Sequence, residues 1–205
     1  AGAMAALVDH LRTAVAAPLV VASEDAEVLE TALKLYGGKA VIKAIDLAGG
    51  QETAAERLRL ARRFGSAVIA RTSDQQGPAP SAGDRLGLAR ELHDLACGVH
   101  GLAAADLLID PVAAPVGDGD CPETLAAVAA IRGELPDCQV VLEIGAVSAG
   151  LEAAARQVLE SVFLHEAAER GLSAAIVDSA GTLPVLQLEA DDARAARELI
   201  FAAAP

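Results

Sequence analysis

The chain alternates short apolar runs with longer amphipathic segments, and this rhythm restricts its fold more than any other feature. Six apolar runs of four to six residues predict buried strands, and they lie at residues 19–22, 40–45, 67–72, 107–111, 139–144 and 174–178. Apolar side chains at helical spacing predict helices at residues 5–16, 26–36, 51–64, 84–99, 122–135, 152–170 and from 191 to about 203. Strands that alternate with helices indicate an α/β fold with a parallel sheet.

The number of strand–helix units bears on the architecture. A closed barrel of eight such units usually needs about 250 residues, and this chain has 205. Six units preceded by a helix predict a parallel (β/α) barrel that lacks its first two strands, with residues 1–205 as one partial domain. An open doubly wound sheet is the alternative, although the glycine pair Gly145 and Gly150 is too loose for a nucleotide-binding fingerprint.

Composition restricts the partners and the compartment. The chain carries 29 Asp and Glu residues against 16 Lys and Arg residues, for a net charge of −13. An acidic surface repels phosphate backbones and anionic lipids, so we expect neither nucleic acid nor a membrane as a partner; solubility alone also explains the acidity. The start, Ala1 to Met4, lacks the basic region of a signal peptide. Three cysteines without paired spacing favour a reduced, cytoplasmic compartment.

An incomplete barrel also makes a prediction about assembly. Two strand edges would have no neighbour, and exposed edges pair readily with other chains. We therefore expect a homo-oligomer or a subunit of a heteromeric complex.

Polar residues follow most of the predicted strands, and parallel strands bring such residues to one face of the sheet, where these folds hold their chemistry. The candidates are Ser23, Lys43, Asp46, Asp110 and Ser148. The pair Asp178 and Ser179, after the sixth strand, is either a further site pair or a helix cap.

Each candidate also has a purely structural interpretation. Ser23 and Ser148 are suitable helix caps. Lys43 is equally explained as an ion-paired or snorkelling lysine. Asp46 is suited to a solvated loop, and Asp110 precedes a proline, where aspartate commonly serves a turn.

Metal sites and hydrolytic triads are not indicated. His93, Cys97 and His100 share one predicted helix, but no second Cys or His cluster accompanies them. The run 117–120 is too short to supply about six oxygen ligands for calcium, and it predicts a solvated loop. No Ser, His and Asp order suggests a triad.

Three segments carry a resemblance to a known family. The first runs through 18–40, from Pro18-Leu19-Val20-Val21 to Gly37-Gly38-Lys39-Ala40. The second is 106–116 and the third 156–176. Together they resemble the pterin-binding barrel of methyltetrahydrofolate–corrinoid methyltransferases, which includes the folate domain of cobalamin-dependent methionine synthase. The resemblance covers nearly the whole chain, from the barrel's third strand onward.

The resemblance implies a function. It implies transfer of a methyl group from a methylated tetrahydrofolate-like pterin to a corrinoid protein, so the expected cofactors are a tetrahydrofolate-type pterin and a corrinoid on a partner protein. It implies that polar side chains at strand ends bind the pterin ring and that a polar network supports protonation of the methyl-bearing nitrogen. The expected pterin-binding residues are Asp110, Ser148, Asp46, Ser23, Arg156 and Lys43, although Arg156 is also explained as a surface residue of its helix. No catalytic residue is assigned.

Several positions depart from the family pattern. The chain has Ala22 where an Asp is expected and Lys43 where an Asn is expected. It has Ala146 where the family has an Asn that hydrogen-bonds the pterin. Glu160 stands where an Asn is usual. These departures favour an alternative function, in which a catalytically degenerate member of the family acts as a binding or structural subunit.

The same departures predict a specific contact. A buried charge must be paired, so we predict that Lys43 pairs with Asp110 or Glu143 across the mouth of the barrel. The pair would fill the space where the pterin would lie.

Overall fold

The structure is a computed structural model that describes residues 2–178 and 181–202. Ser179 and the predicted end of the last helix, near Ala203, lie outside the described residues. The described strands are β1 (Val20–Ala22), β2 (Val41–Ile45), β3 (Ala67–Arg71), β4 (Ser73–Asp74), β5 (Gly77–Pro78), β6 (Leu107–Asp110), β7 (Gln139–Glu143) and β8 (Ala174–Ile176). The described helices are α1 (Gly2–Ala14), α2 (Ala26–Leu35), α3 (Gly50–Phe64), α4 (Ala82–His93), α5 (Cys121–Glu134), α6 (Ala153–Glu169) and α7 (Ala190–Ile200).

Six of the strands form one curled parallel sheet in the order β1-β2-β3-β6-β7-β8. Strands that are adjacent in this sheet are therefore also consecutive sheet strands along the chain, and a helix lies in each connection between them. A doubly wound sheet would reverse its strand order part-way, so that alternative is wrong. The prediction of an incomplete parallel barrel is confirmed, with β1 and β8 as the two edges of the described sheet.

Local sequence signals set the ends of the helices. The Asp25 carboxylate accepts hydrogen bonds from the N–H groups of Glu27 and Val28 and so caps α2. Gly65 ends α3 in a left-handed conformation with φ of 66°, which glycine adopts without steric cost. Pro122 lies in the first turn of α5, where its missing N–H would have no helical partner in any case.

The core lies between the sheet and its helices and is almost wholly aliphatic. Aromatic residues make up 2% of the chain, and Phe163 on α6 is the largest fully buried side chain described. The sheet contributes Ile42, Ile109 and Leu142, each fully buried. Burying such a side chain stabilises a fold by about 1.5–3 kcal/mol. The strands that carry the site are therefore held in place by the burial of many aliphatic side chains.

The structure adds local detail in three segments. The predicted helix 84–99 changes to π-helical hydrogen bonding at Asp94–Val99. The stretch 73–83 is polar and rich in Gly and Pro, which predicts a loop, and it contains the antiparallel hairpin β4–β5. The apolar run 185–188, whose sequence allows either a short strand or an extended loop, forms a single 3₁₀ turn at Val185–Gln187. Its Leu186 is almost fully exposed, whereas Val185 and Leu188 are partly buried against the core. Within the described part of the chain, no helix has the length and apolar character needed to cross a membrane.

Candidate functional site

Four neighbouring strands carry charged side chains at or near their carboxyl ends, and these side chains together line the mouth of the barrel. Lys43 lies on β2, Arg71 ends β3, Asp110 ends β6 and Glu143 ends β7. Arg71 is directly opposite Asp110 in the β3–β6 ladder. In the strand order, the two cationic residues therefore lie on β2 and β3, and the two carboxylates lie on the next two strands, β6 and β7.

Asp110 is the buried member of this group, with 3% of its surface exposed. Its Oδ1 accepts a hydrogen bond from the N–H of Val112 at 2.9 Å, which is its only side-chain hydrogen bond within the described residues. Burial raises the pKa of the Asp110 carboxyl to about 6, against the opposing effects of the Val112 N–H, Arg71 and Lys43. The residue serves a turn, as the structural interpretation predicted, and it also presents a carboxyl at the floor of the mouth.

Lys43 and Glu143 form an ion pair across the mouth. Lys43 Nζ lies 2.6 Å from Glu143 Oε2, and the two residues come from strands that are separated in the sheet by β3 and β6. Lys43 is mostly covered, with 23% of its side chain exposed, whereas Glu143 is 54% exposed. Glu143 is one of the two partners predicted for Lys43, and that prediction is confirmed.

A second polar cluster lies beside the mouth, between the start of α6 and the end of β8. Glu160 is buried and accepts a hydrogen bond from the Ser148 hydroxyl, and Arg156 Nη2 lies 3.6 Å from Glu160 Oε1. A cavity of about 400 Å³ is lined here by Ala153, Ala154, Arg156, Gln157, Glu160, Asp178 and Gly181. The cap interpretation of Ser148 is wrong, because α6 begins after Glu152 without a side-chain cap.

Gly181 packs closely against this cluster. A Cβ at Gly181 would lie 3.1 Å from Glu160 Oε2 and 3.3 Å from the carbonyl oxygen of Asp178. The absence of a side chain therefore lets the loop after β8 approach the buried carboxylate. Sequence reasoning named Glu160 only as a departure, and its contact with Ser148, twelve residues away, carries no sequence signal.

Two other predicted site residues use their side chains in local turns. Ser23 Oγ accepts the N–H of Asp25 at 3.1 Å, and Asp25, not Ser23, caps the helix that follows. Asp46 Oδ1 accepts the N–H of Ala48 at 3.1 Å. Both residues follow strands at the same face as Asp110, and their part in ligand binding stays a prediction.

A buried arginine joins two loops at this face, and sequence reasoning missed it. Arg85 on α4 donates to the Ala79 carbonyl, to Thr124 Oγ1 and to Asp120 Oδ1 at 2.7–2.9 Å. Asp120 was expected to lie in a solvated loop, but it is largely covered and paired. No local pattern marks Arg85, since its carboxylate partner lies 35 residues away.

Within residues 2–178 and 181–202, no group of three or more His, Cys, Asp and Glu side chains is arranged to hold a metal ion. Cys97, Cys121 and Cys138 are free thiols. Burial raises the pKa of both Cys121 and Cys138 to about 11, which keeps these two thiols protonated and unreactive near neutral pH.

Comparison with known proteins assigns the family. A profile described as "Pterin binding enzyme" matches residues 2–178. The chain belongs to the pterin-binding enzyme family. Among curated pterin-family relatives, methionine synthase of Mycobacterium tuberculosis (strain ATCC 25618 / H37Rv) is 32% identical over 207 residues, and methionine synthase of Mycobacterium leprae (strain TN) is 31% identical over 207 residues. Each match covers 97% of this chain but only 17% of the relative.

Solved structures confirm the pterin-binding barrel fold. Dihydropteroate synthase of Yersinia pestis, in complex with a sulfonamide drug, matches 96% of this chain and 70% of that chain, with a TM-score of 0.60 and 17% identity. Dihydropteroate synthase of Xanthomonas albilineans, in complex with 7,8-dihydropteroate, matches 94% and 69%, with a TM-score of 0.61 and 20% identity. At this level of sequence identity, the structural similarity shows a shared fold only.

Proposed function

We propose that this member of the pterin-binding family binds a methylated tetrahydrofolate-type pterin at the strand-end mouth and that the methyl group passes to a corrinoid protein. Such a reaction would take place in the cytoplasm. The 32% identity to a methionine synthase over nearly the whole chain supports this choice within the family.

The single observation that carries the proposal is the buried Asp110 carboxyl. One of its oxygens is held by Val112, and the other makes no hydrogen bond within the described residues. A pterin ring presents adjacent N–H donors, which a carboxylate can accept. Hydrogen bonds from these donors favour the ionised form of the carboxyl, so the bound ring would stabilise the charge that burial opposes.

The Ser148, Arg156 and Glu160 cluster would border the same ligand. Arg156 is about half exposed beside the 400 Å³ cavity, and the buried Glu160 lies within ion-pairing distance of its guanidinium. An arginine held in this way binds carboxylates well. The corrinoid, carried by the partner protein, would supply the nucleophile that accepts the methyl group.

Calorimetric titration with 5-methyltetrahydrofolate tests the proposal. We expect micromolar binding by the native chain and at least tenfold weaker binding by Asp110→Asn, since a hydrogen bond to a buried charged group contributes about 1.5–3 kcal/mol. Asp106→Asn is the matched control, because Asp106 lies just before the other end of β6 and pairs with Lys39. Methyl transfer to a reduced corrinoid is then assayed. No binding at millimolar ligand would refute the proposal.

The ion pair favours a second candidate function. Lys43 and Glu143 meet over the mouth, and Ala146 offers no polar group where the family places an amide. A chain with these features suits a binding subunit that holds a corrinoid-protein partner without methyl transfer. Binding of a purified corrinoid protein, together with no binding of the pterin, would select this candidate.

A further inference from the structure

We propose that Lys43 and Glu143 form a latch that closes the mouth over Asp110 and that a pterin must open this ion pair to bind. This inference concerns regulation of the same site and rests on the proposed function for the identity of the ligand. The latch itself rests on the geometry of the two side chains.

The positions of the two strands make the pair an obstacle. β2 and β7 are separated by two strands in the sheet order, so Lys43 and Glu143 approach each other from different walls of the mouth. Their charged atoms meet at 2.6 Å. A flat bicyclic ring has no room between two atoms at hydrogen-bond distance, and it must part them to pass.

Between the two strands that carry the pair lies the residue whose carboxyl a pterin would need to reach. Asp110 ends β6, between β3 and β7, and it is buried. Both Lys43 and Glu143 lie near enough to influence its carboxyl electrostatically, with opposite signs. Opening the latch would therefore expose the acceptor at the floor of the mouth.

The latch is weak enough to open. Glu143 is more than half exposed, and an ion pair in contact with water contributes little because the solvent screens it. The pair should lower the affinity of a competing ligand by roughly two- to fivefold. It would tune access to the mouth and would not abolish it.

Two measurements test the latch in the full chain. Glu143→Gln keeps the size of the side chain and removes its charge, and we expect it to bind 5-methyltetrahydrofolate about two to five times more tightly than the native chain. Lys43→Gln should have the same effect, and the double variant should gain no more than either single variant, because one contact is lost only once. Glu134→Gln is the matched control, since it breaks a surface ion pair with Arg90 far from the strand ends.

The second measurement needs no ligand. We expect an amine-acylating reagent to modify Lys43 about two to five times faster in Glu143→Gln than in the native chain, with Lys34 as internal control. Lys34 is exposed and pairs with Glu30 on its own helix, so its rate should not change. Peptide mapping by mass spectrometry separates the two lysines.

The outcomes separate the latch from the proposed function. Unchanged labelling of Lys43, or weaker pterin binding by Glu143→Gln, would overturn the latch; the latter result would make Glu143 a ligand contact. Faster labelling without pterin binding by any variant would support the latch and refute the proposed function.

Discussion

The backbone N–H of Val112 donates to Asp110 Oδ1 at 2.9 Å, and Val112 holds a left-handed conformation with φ of 62°. Within the described residues it is the one residue other than glycine with a positive φ. A β-branched side chain is unfavourable there because it crowds the neighbouring backbone. The fold therefore accepts a local cost at the residue that holds the buried carboxyl, as binding sites often do.

Replacement of Val112 by glycine should cost less stability than the same replacement of Val116. Both valines are 9% exposed, so both variants lose a similar buried side chain, but only Val112→Gly also relieves an unfavourable backbone conformation. That relief amounts to about 1–3 kcal/mol. Urea denaturation of the two variants gives the difference. Equal losses would show that Val112 is not strained.

Asp110→Asn should stabilise the protein at neutral pH and leave its stability in acid nearly unchanged. The carboxyl has a pKa of about 6 in the fold and about 3.9 in an unfolded chain. Between these values the folded state binds the proton and the unfolded state does not, so the native protein loses stability as the pH rises from about 4 to about 6. The loss amounts to as much as about 3 kcal/mol, and asparagine, which is neutral throughout, avoids it.

Urea denaturation at pH 4 and at pH 7.5 measures this effect. The advantage of Asp110→Asn over the native chain should grow between the two pH values. Asp106→Asn serves as control, because Asp106 is partly exposed and pairs with Lys39; it should gain no stability relative to the native chain as the pH rises. A constant difference for Asp110→Asn would mean that water reaches the Asp110 carboxyl.

The parallel sheet was predictable because each strand is a short apolar run bounded by glycine, proline or capping residues. The run 139–144 illustrates this, since four of its residues are buried in the structure. The run 185–188 has similar composition and yet forms a 3₁₀ turn. Composition alone cannot show whether a neighbouring strand is present to pair with such a run, so its sequence is compatible with both a strand and a loop.

The candidate site was predictable only in part, for a related reason. Lys43 lies within β2 and Glu143 ends β7. Their charges are opposite and lie near the same face of the sheet, so topology and electrostatics made Glu143 one of two predicted partners for Lys43. The contacts of Glu160 with Ser148 and of Arg85 with Asp120 depend on how helices rotate against the sheet. Neither contact joins residues that share a strand-end pattern, and no sequence spacing marks them.

Arg85→Ala should destabilise the chain far more than Arg90→Ala, although both residues lie on α4. Arg85 is buried and pairs with Asp120, and removal of one partner leaves a covered charge without compensation, at a cost of about 3–5 kcal/mol. Arg90 pairs with Glu134 in solvent, where an ion pair contributes less than about 1 kcal/mol. Urea denaturation of both variants measures the contrast. Similar small losses would mean that solvent reaches Asp120 once the arginine is gone.

Lys43→Asn combined with Ala146→Asn should gain affinity for 5-methyltetrahydrofolate over the native chain. The first substitution removes the cation of the latch, and the second adds an amide on the turn after β7, where the chain has none. An amide that forms one net hydrogen bond to the ring contributes about 0.5–1.5 kcal/mol, and loss of the latch adds to it. We expect roughly a tenfold gain by calorimetric titration. Ala146→Asn alone should give only part of this gain, because Lys43 still meets Glu143 across the mouth. No gain in the double variant would show that the mouth is closed by more than this ion pair.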